Sequence, residues 1–126
     1  AEESDMAVTI TTQSTGLGNR VLKDNAATST AVKNVTGSAS TLYTVFVTNP
    51  NGFKVWLKIY DNVAPTIGTT VPDFIFQVDA SVSRQYIMTA GSTFANGISY
   101  AVIKGNGGTG GTTAPDSVCT VWMVTS

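Results

Sequence analysis

Four aspartates, Asp61, Asp73, Asp79 and Asp116, stand where apolar runs of this chain end. Carboxylates gathered at strand ends are the first place to look for acid–base chemistry or a calcium site. Their spacing matches no calcium loop, and an Asp at a strand end commonly accepts backbone hydrogen bonds in a turn. Asp79 and Arg84, on either side of residues 80–83, are placed to form a surface ion pair worth at most about 1 kcal/mol. The run GNGGTGG at residues 105–111 invites a phosphate-binding reading. No Lys-Ser or Lys-Thr follows it, and it joins two strand-like segments rather than a strand and a helix, so it reads as a flexible connection. Cys119 is the single cysteine and lies inside an apolar run, which predicts a buried, inert thiol and rules out an intrachain disulfide. The chain has no histidine, which removes the Ser-His-Asp and Cys-His nucleophile arrangements and the usual zinc and non-haem iron sites. Asn34-Val35-Thr36 fits the glycosylation sequon without an accompanying secretion signal. These residue types predict no enzyme, no metal and no cofactor.

The elements that must carry any site are strands. Residues 42–61, LYTVFVTNPNGFKVWLKIYD, read as a β-hairpin around Asn49-Pro50-Asn51-Gly52, with Asn opening a type I turn, Pro presetting φ and Gly closing it. In that register Asn49 pairs with Phe53, and Tyr43, Val45 and Val47 lie beside Ile59, Leu57 and Val55 on one apolar face. The other face sets Leu42, Phe46, Trp56 and Tyr60 among Lys54 and Lys58. It has three readings. A second sheet or the N-terminal segment covers the rings while the lysine stems lie over them; or the rings dock a protein partner; or they form a sugar-binding platform.

The 126 residues make one domain, long enough to bury a real core. Only 12% are charged and the net charge is −1, with lysines and arginines scattered singly, so neither nucleic acid nor a membrane surface is an expected partner. No apolar run approaches the ~20 residues of a spanning helix. Residues 1–40 are poor in large apolar side chains and form a polar N-terminal arm with edge strands, in which Val8 and Ile10 alternate with Thr9 and Thr11, and Arg20 to Lys23 start another strand. This region either packs as edge strands and loops or lies on a neighbouring molecule. Residues 41–126 hold the rest: a strand with Phe74, Phe76 and Val78 on one side, a return with Ile87 on the same apolar face, a break at Ala90-Gly91-Ser92, a strand over 98–104, and the run VCTVWMV, apolar on both sides and so central in its sheet. About eight short strands without a convincing helix predict an all-β fold, a single antiparallel β-sandwich of jelly-roll-like type, with a barrel as the second reading.

The order of several segments carries a resemblance. SASTLYTVFVTNP, FKVWLKIYD, the Gly68-Thr69-Thr70-Val71-Pro72-Asp73 turn, SVSRQYI, FANGISYAVIKG and GGTGGTTAPDSVCTVWMV, spanning residues 41–125, resemble small β-sandwich proteins of tailed bacteriophages, marine and cyanobacterial ones included, that are structural parts of virions. The resemblance implies a non-enzymatic decoration or cement protein on the outer capsid surface, often a trimer, bound to the major capsid protein. The expected interface residues are Leu42, Phe46, Lys54, Trp56, Lys58 and Tyr60, with Val8 and Ile10 of the arm. A tail, neck or fibre component, or a carbohydrate- or host-receptor-binding module on the virion, is the alternative.

Overall fold

The computed structural model describes residues 8–12 and 20–126. These residues form eight strands: β1 (Val8–Thr12), β2 (Arg20–Ala27), β3 (Ser40–Thr48), β4 (Val55–Asp61), β5 (Phe74–Val78), β6 (Ser83–Phe94), β7 (Ile98–Lys104) and β8 (Cys119–Thr125). They pair antiparallel in two sheets, β1-β2-β8-β3-β6 and β5-β4-β7, with no helix among the described residues. The chain from 28 to 35 runs along the free side of β7, where the Val102 N–H donates to Thr28 O (3.0 Å), Val32 and Tyr100 exchange N–H···O bonds (2.9 and 3.0 Å), and the Val35 N–H donates to Ile98 O (2.8 Å). Counting that segment, β2-β8-β3-β6 faces (28–35)-β7-β4-β5, which is the winding of a jelly roll. Two open sheets rather than a closed barrel result.

The core lies between the sheets. Leu42, Val45, Val47, Val121 and Met123 from the larger sheet meet Val55, Leu57, Ile59, Tyr100 and Val102 from the smaller, all with essentially no exposure. One buried polar bridge crosses this layer: the Tyr100 hydroxyl donates to Asp24 Oδ2 (2.7 Å), and Asp24 Oδ1 accepts the Ala26 N–H (2.9 Å) at the bulge in β2. Burial, followed by the neighbouring Asp24 carboxylate, holds the Tyr100 hydroxyl far above its ordinary pKa. Along the open side, Phe74, Phe76, Tyr86 and Phe94 close the gap between β5 and β6, with Phe76 and Tyr86 ring centroids 4.5 Å apart.

The expected hairpin is not formed. β3 and β4 lie in different sheets, so Asn49-Pro50-Asn51-Gly52 is an arch that carries the chain over the core instead of a turn that pairs neighbours. Val45 and Val47 do face Val55, Leu57 and Ile59, but across the sandwich rather than beside them. The alternation of apolar residues is the same in both geometries. The side chains of the arch decide between them. Asn49, 1% exposed, donates from Nδ2 to the carbonyls of Phe53 (2.9 Å), Val78 (3.3 Å) and Asp79 (3.0 Å), and its Oδ1 accepts both the N–H and the Nδ2 of Asn51 (2.9 Å each). Asn51, also buried, reaches on to Ser117, donating to its O (3.0 Å) and accepting its N–H (2.7 Å). Three chain crossings are therefore tied at one point. An Asn pointing outward from a hairpin turn would satisfy none of these groups.

Candidate interaction face

The four strand-end aspartates are all occupied, two by backbone N–H groups and two by ion pairs. Asp61 takes the N–H groups of Ala95 (3.0 Å) and Asn96 (2.8 Å); desolvation pushes its carboxyl up, but bonds from the Asn96, Ala95 and Gly97 backbones outweigh this and hold it below the usual range. Asp73 accepts the Asp61 N–H (2.6 Å), Asp79 meets Arg84 at 3.5 Å as expected, and Asp116 pairs with Lys104 at 2.7 Å. No cluster of three metal-ligating side chains occurs among the described residues. Cys119 is fully buried; desolvation pushes its thiol up to about 11 against a weak opposing contact from Asn51 Nδ2. Asn34 takes a left-handed φ of 51°, with its Oδ1 buried and without a hydrogen-bond partner among the described residues.

The aromatic face expected from the hairpin is split by the arch. Phe46 lies on the outer side of the five-stranded sheet, while Trp56, Lys58 and Tyr60 lie on the outer side of the three-stranded sheet. Leu42 has entered the core, because a bulge between Leu42 and Thr44 changes the alternation there. Lys58 and Tyr60 are also fully buried, Trp56 is half-buried and Lys54 is exposed. On β1, Val8 is half-buried and Ile10 is 47% exposed. The eight residues thus do not make one surface.

What covers Lys58 is the glycine run. The Lys58 ammonium donates to Gly108 O and to Gly111 O (3.3 Å), while Gly107 packs on the Trp56 indole so closely that a Cβ there would lie 2.5 Å from Nε1. The segment, which joins β7 to β8, lies over Lys58 as a lid, whose glycines allow this close approach and whose carbonyls solvate a buried cation. Desolvation lowers the Lys58 pKa.

A different surface is left open among the described residues. Pairing across the five-stranded sheet aligns Thr9, Lys23, Trp122, Phe46 and Gln85 in one outward row and Thr11, Val21, Val124, Thr44 and Ile87 in the next. Trp122 is 41% and Ile87 62% exposed, and Thr48 and Ser83, joined at 3.0 Å between hydroxyls, sit on the polar margin. Val21, Thr44, Phe46, Gln85, Trp122 and Val124 line a groove of about 270 Å³. Lys23 is the only charged side chain in the two rows. An antiparallel sheet with one solvated face normally turns polar residues outward. Here the centre is aromatic and aliphatic with a threonine margin, which makes the face a candidate interaction surface. The ring geometry disfavours a sugar platform: Phe46 and Trp122, 5.9 Å apart, are inclined by 49°, and Lys23 Nζ stands 4.6 Å over the indole, covering one of its faces.

Of the expected residues only Phe46 belongs to this face. Trp122, Val124, Val21 and Ile87 were missed. Ile87 was expected inside; its neighbours Tyr86 and Met88 pack against the core instead. A signal was present in VCTVWMV: once Cys119, Val121 and Met123 are taken as the buried set, Trp122 and Val124 must point away from the core. Comparison of the chain with protein-family models, with curated proteins and with solved structures finds no match.

Proposed function

We propose that this chain is a bacteriophage virion structural protein, a decoration or cement protein that binds the outer surface of the head through the Phe46/Trp122 face of its larger sheet. The observation that carries the reading is this nearly uncharged apolar face on the outside of the larger sheet. The order of the segments between residues 41 and 125, which resembles phage virion proteins, supplies the partner: the major capsid protein, engaged by a homotrimer. Such a protein needs no reaction. It stabilises a lattice by binding the assembled form better than its separate subunits, since a ligand shifts an equilibrium by its differential affinity. Trp122 is the expected anchor, and its truncation costs on the order of 2 kcal/mol of binding, about thirtyfold.

The test is co-sedimentation of the purified protein with heads that lack it, alongside sedimentation of the protein alone. Binding to heads by a trimer, lost in Trp122→Ala while the fold is kept, is the expected result. Binding unaffected by Trp122→Ala removes the face from the proposal. A protein that ignores heads refutes decoration and points to a tail, neck or fibre position, or to a glycan- or receptor-binding module, which copy number per particle and glycan binding separate.

A further inference from the structure

The sequence holds three Asn-Gly pairs, Asn51-Gly52, Asn96-Gly97 and Asn106-Gly107, and the fold treats them differently. Asn-Gly is the pair most prone to cyclise, because glycine has no side chain to hinder attack by its own nitrogen on the preceding side-chain carbonyl. At Asn51 the side chain is 4% exposed and held at both ends, Oδ1 by the Ser117 N–H and Nδ2 by Asn49 Oδ1 and Ser117 O. It has no freedom to rotate towards Gly52. At Asn96 the turn is held in place: the Asn96 N–H donates to Asp61 Oδ1 (2.8 Å), Nδ2 reaches Asp61 O (3.5 Å), and Gly97 is buried and fixed at φ +145°. Asn106 is different. Its side chain is exposed, its Oδ1 accepts the Gly108 N–H (2.8 Å), and neither its Nδ2 nor the Gly107 N–H has a hydrogen-bond partner among the described residues. The bond from Gly108 polarises the side-chain carbonyl and leaves the Gly107 nitrogen free.

We propose that Asn106-Gly107 is a site of spontaneous deamidation, and that the modification loosens the lid over Lys58. The Gly107 nitrogen attacks Asn106 Cγ; the new N–Cγ bond forms as the Cγ–Nδ2 bond breaks, and Nδ2 departs as ammonia with the Gly107 amide proton. Water then opens either carbonyl of the succinimide, its hydroxyl going to carbon and its proton to nitrogen, to leave aspartate or isoaspartate. Isoaspartate adds a methylene to the backbone where there is no slack, because Gly111 already lies against the Asn106 carbonyl so tightly that a Cβ would overlap it. The two carbonyls that hold Lys58 belong to the same short loop.

The native protein is incubated at mildly alkaline pH, and the modified positions are mapped by peptide mass spectrometry. Asn106 reacts at least about tenfold faster than Asn51 or Asn96, and the three rates converge when the chain is unfolded in urea. Asn106→Gln abolishes the native-state reaction. Reaction first at Asn51 or Asn96, or no reaction in the native protein while the unfolded chain reacts, overturns the site. Limited proteolysis of the aged protein tests the second half: faster cleavage within residues 105–111 than in Asn106→Gln supports release of the lid, and equal cleavage refutes it.

Discussion

Replacing Asn49 by Ala separates the arch from the hairpin by at least about two orders of magnitude in equilibrium constant. In a hairpin turn the side chain would face water, and its loss would fall in the range of ordinary surface substitutions, about ±0.5 kcal/mol. In the arch, Ala removes the donor shared by Phe53 O, Val78 O and Asp79 O and the acceptor of two Asn51 N–H groups, in a site from which water is excluded. Each buried polar group left unpaired costs about 1–3 kcal/mol, and because the groups share one site and relax together, the total is about 3–5 kcal/mol. Against a domain stability of roughly 5–15 kcal/mol this is a large fraction, equivalent to a melting-point decrease of roughly 10–20 °C. Urea unfolding followed by tryptophan emission suits the measurement, because Trp56 and Trp122 report on different sheets. The expected result is a lower midpoint with the slope unchanged, and a near-neutral Pro50→Ala as control, Pro50 being exposed. A loss below about 1 kcal/mol for Asn49→Ala would refute the claim that this side chain holds the crossing.

The other expectations follow from single contacts. Lys58→Met relieves the burial of an ammonium while freeing Gly108 O and Gly111 O, so global stability changes by no more than about 2 kcal/mol whereas protease cleavage within residues 105–111 rises; a loop as resistant as the wild type would sink the lid. Gly91→Ala costs about 2–4 kcal/mol in denaturant titration, since its φ of +79° is left-handed and a methyl would meet the Thr41 side chain and lie 2.9 Å from the Tyr43 ring; a loss under about 1 kcal/mol contradicts this. With rising pH the folded chain keeps the protons of Cys119, Tyr60 and Tyr100 that the unfolded chain has released, so their stabilisation is intact below the unfolded pKa values and is lost above them. The Cys119 share, lost as pH climbs towards about 11, is about 2–3 kcal/mol. Lys58 acts with the opposite sign, because its lowered pKa lets the folded state shed a proton first and the burial penalty fades as pH rises. Unfolding free energy measured from pH 8 to 11 falls less steeply in Cys119→Ala than in the wild type; parallel curves would reject the thiol's part.

Much of the fold was legible because each strand buries one face and that alternation is written locally. The 98–104 strand appears with the expected bounds, and the interior place of β8 followed from its two apolar faces. The partner of a strand is not local information. Val45 and Val47 serve a neighbour in the same sheet or a strand across the core with the same pattern, so the choice fell to Asn49 and Asn51, whose donors and acceptors could be satisfied by segments far away in sequence, near Val78 and Ser117. The same limit hid the outward apolar face of the larger sheet. Phe46 stands out in the sequence as an aromatic near lysines, but its neighbour, Trp122, is brought alongside only by pairing of β3 with β8. In the glycine run, composition gives no sign of the buried lysine on another strand that the loop covers.

The placement of β8 between β2 and β3 also sets the order of events by which the chain reaches its fold. Both flanking strands precede β8 in the chain and must wait, with ladder groups on that side unpaired, until a strand from far along the chain arrives to join them. Closing such long loops before contacts reward them makes assembly slow, on the scale of milliseconds to seconds for sheets of this kind. During that interval the two waiting edges, with their half-apolar faces, are open to any other extended strand. Refolding yield is therefore expected to fall steeply with protein concentration, and addition of a peptide carrying the β8 sequence should trap the waiting edges.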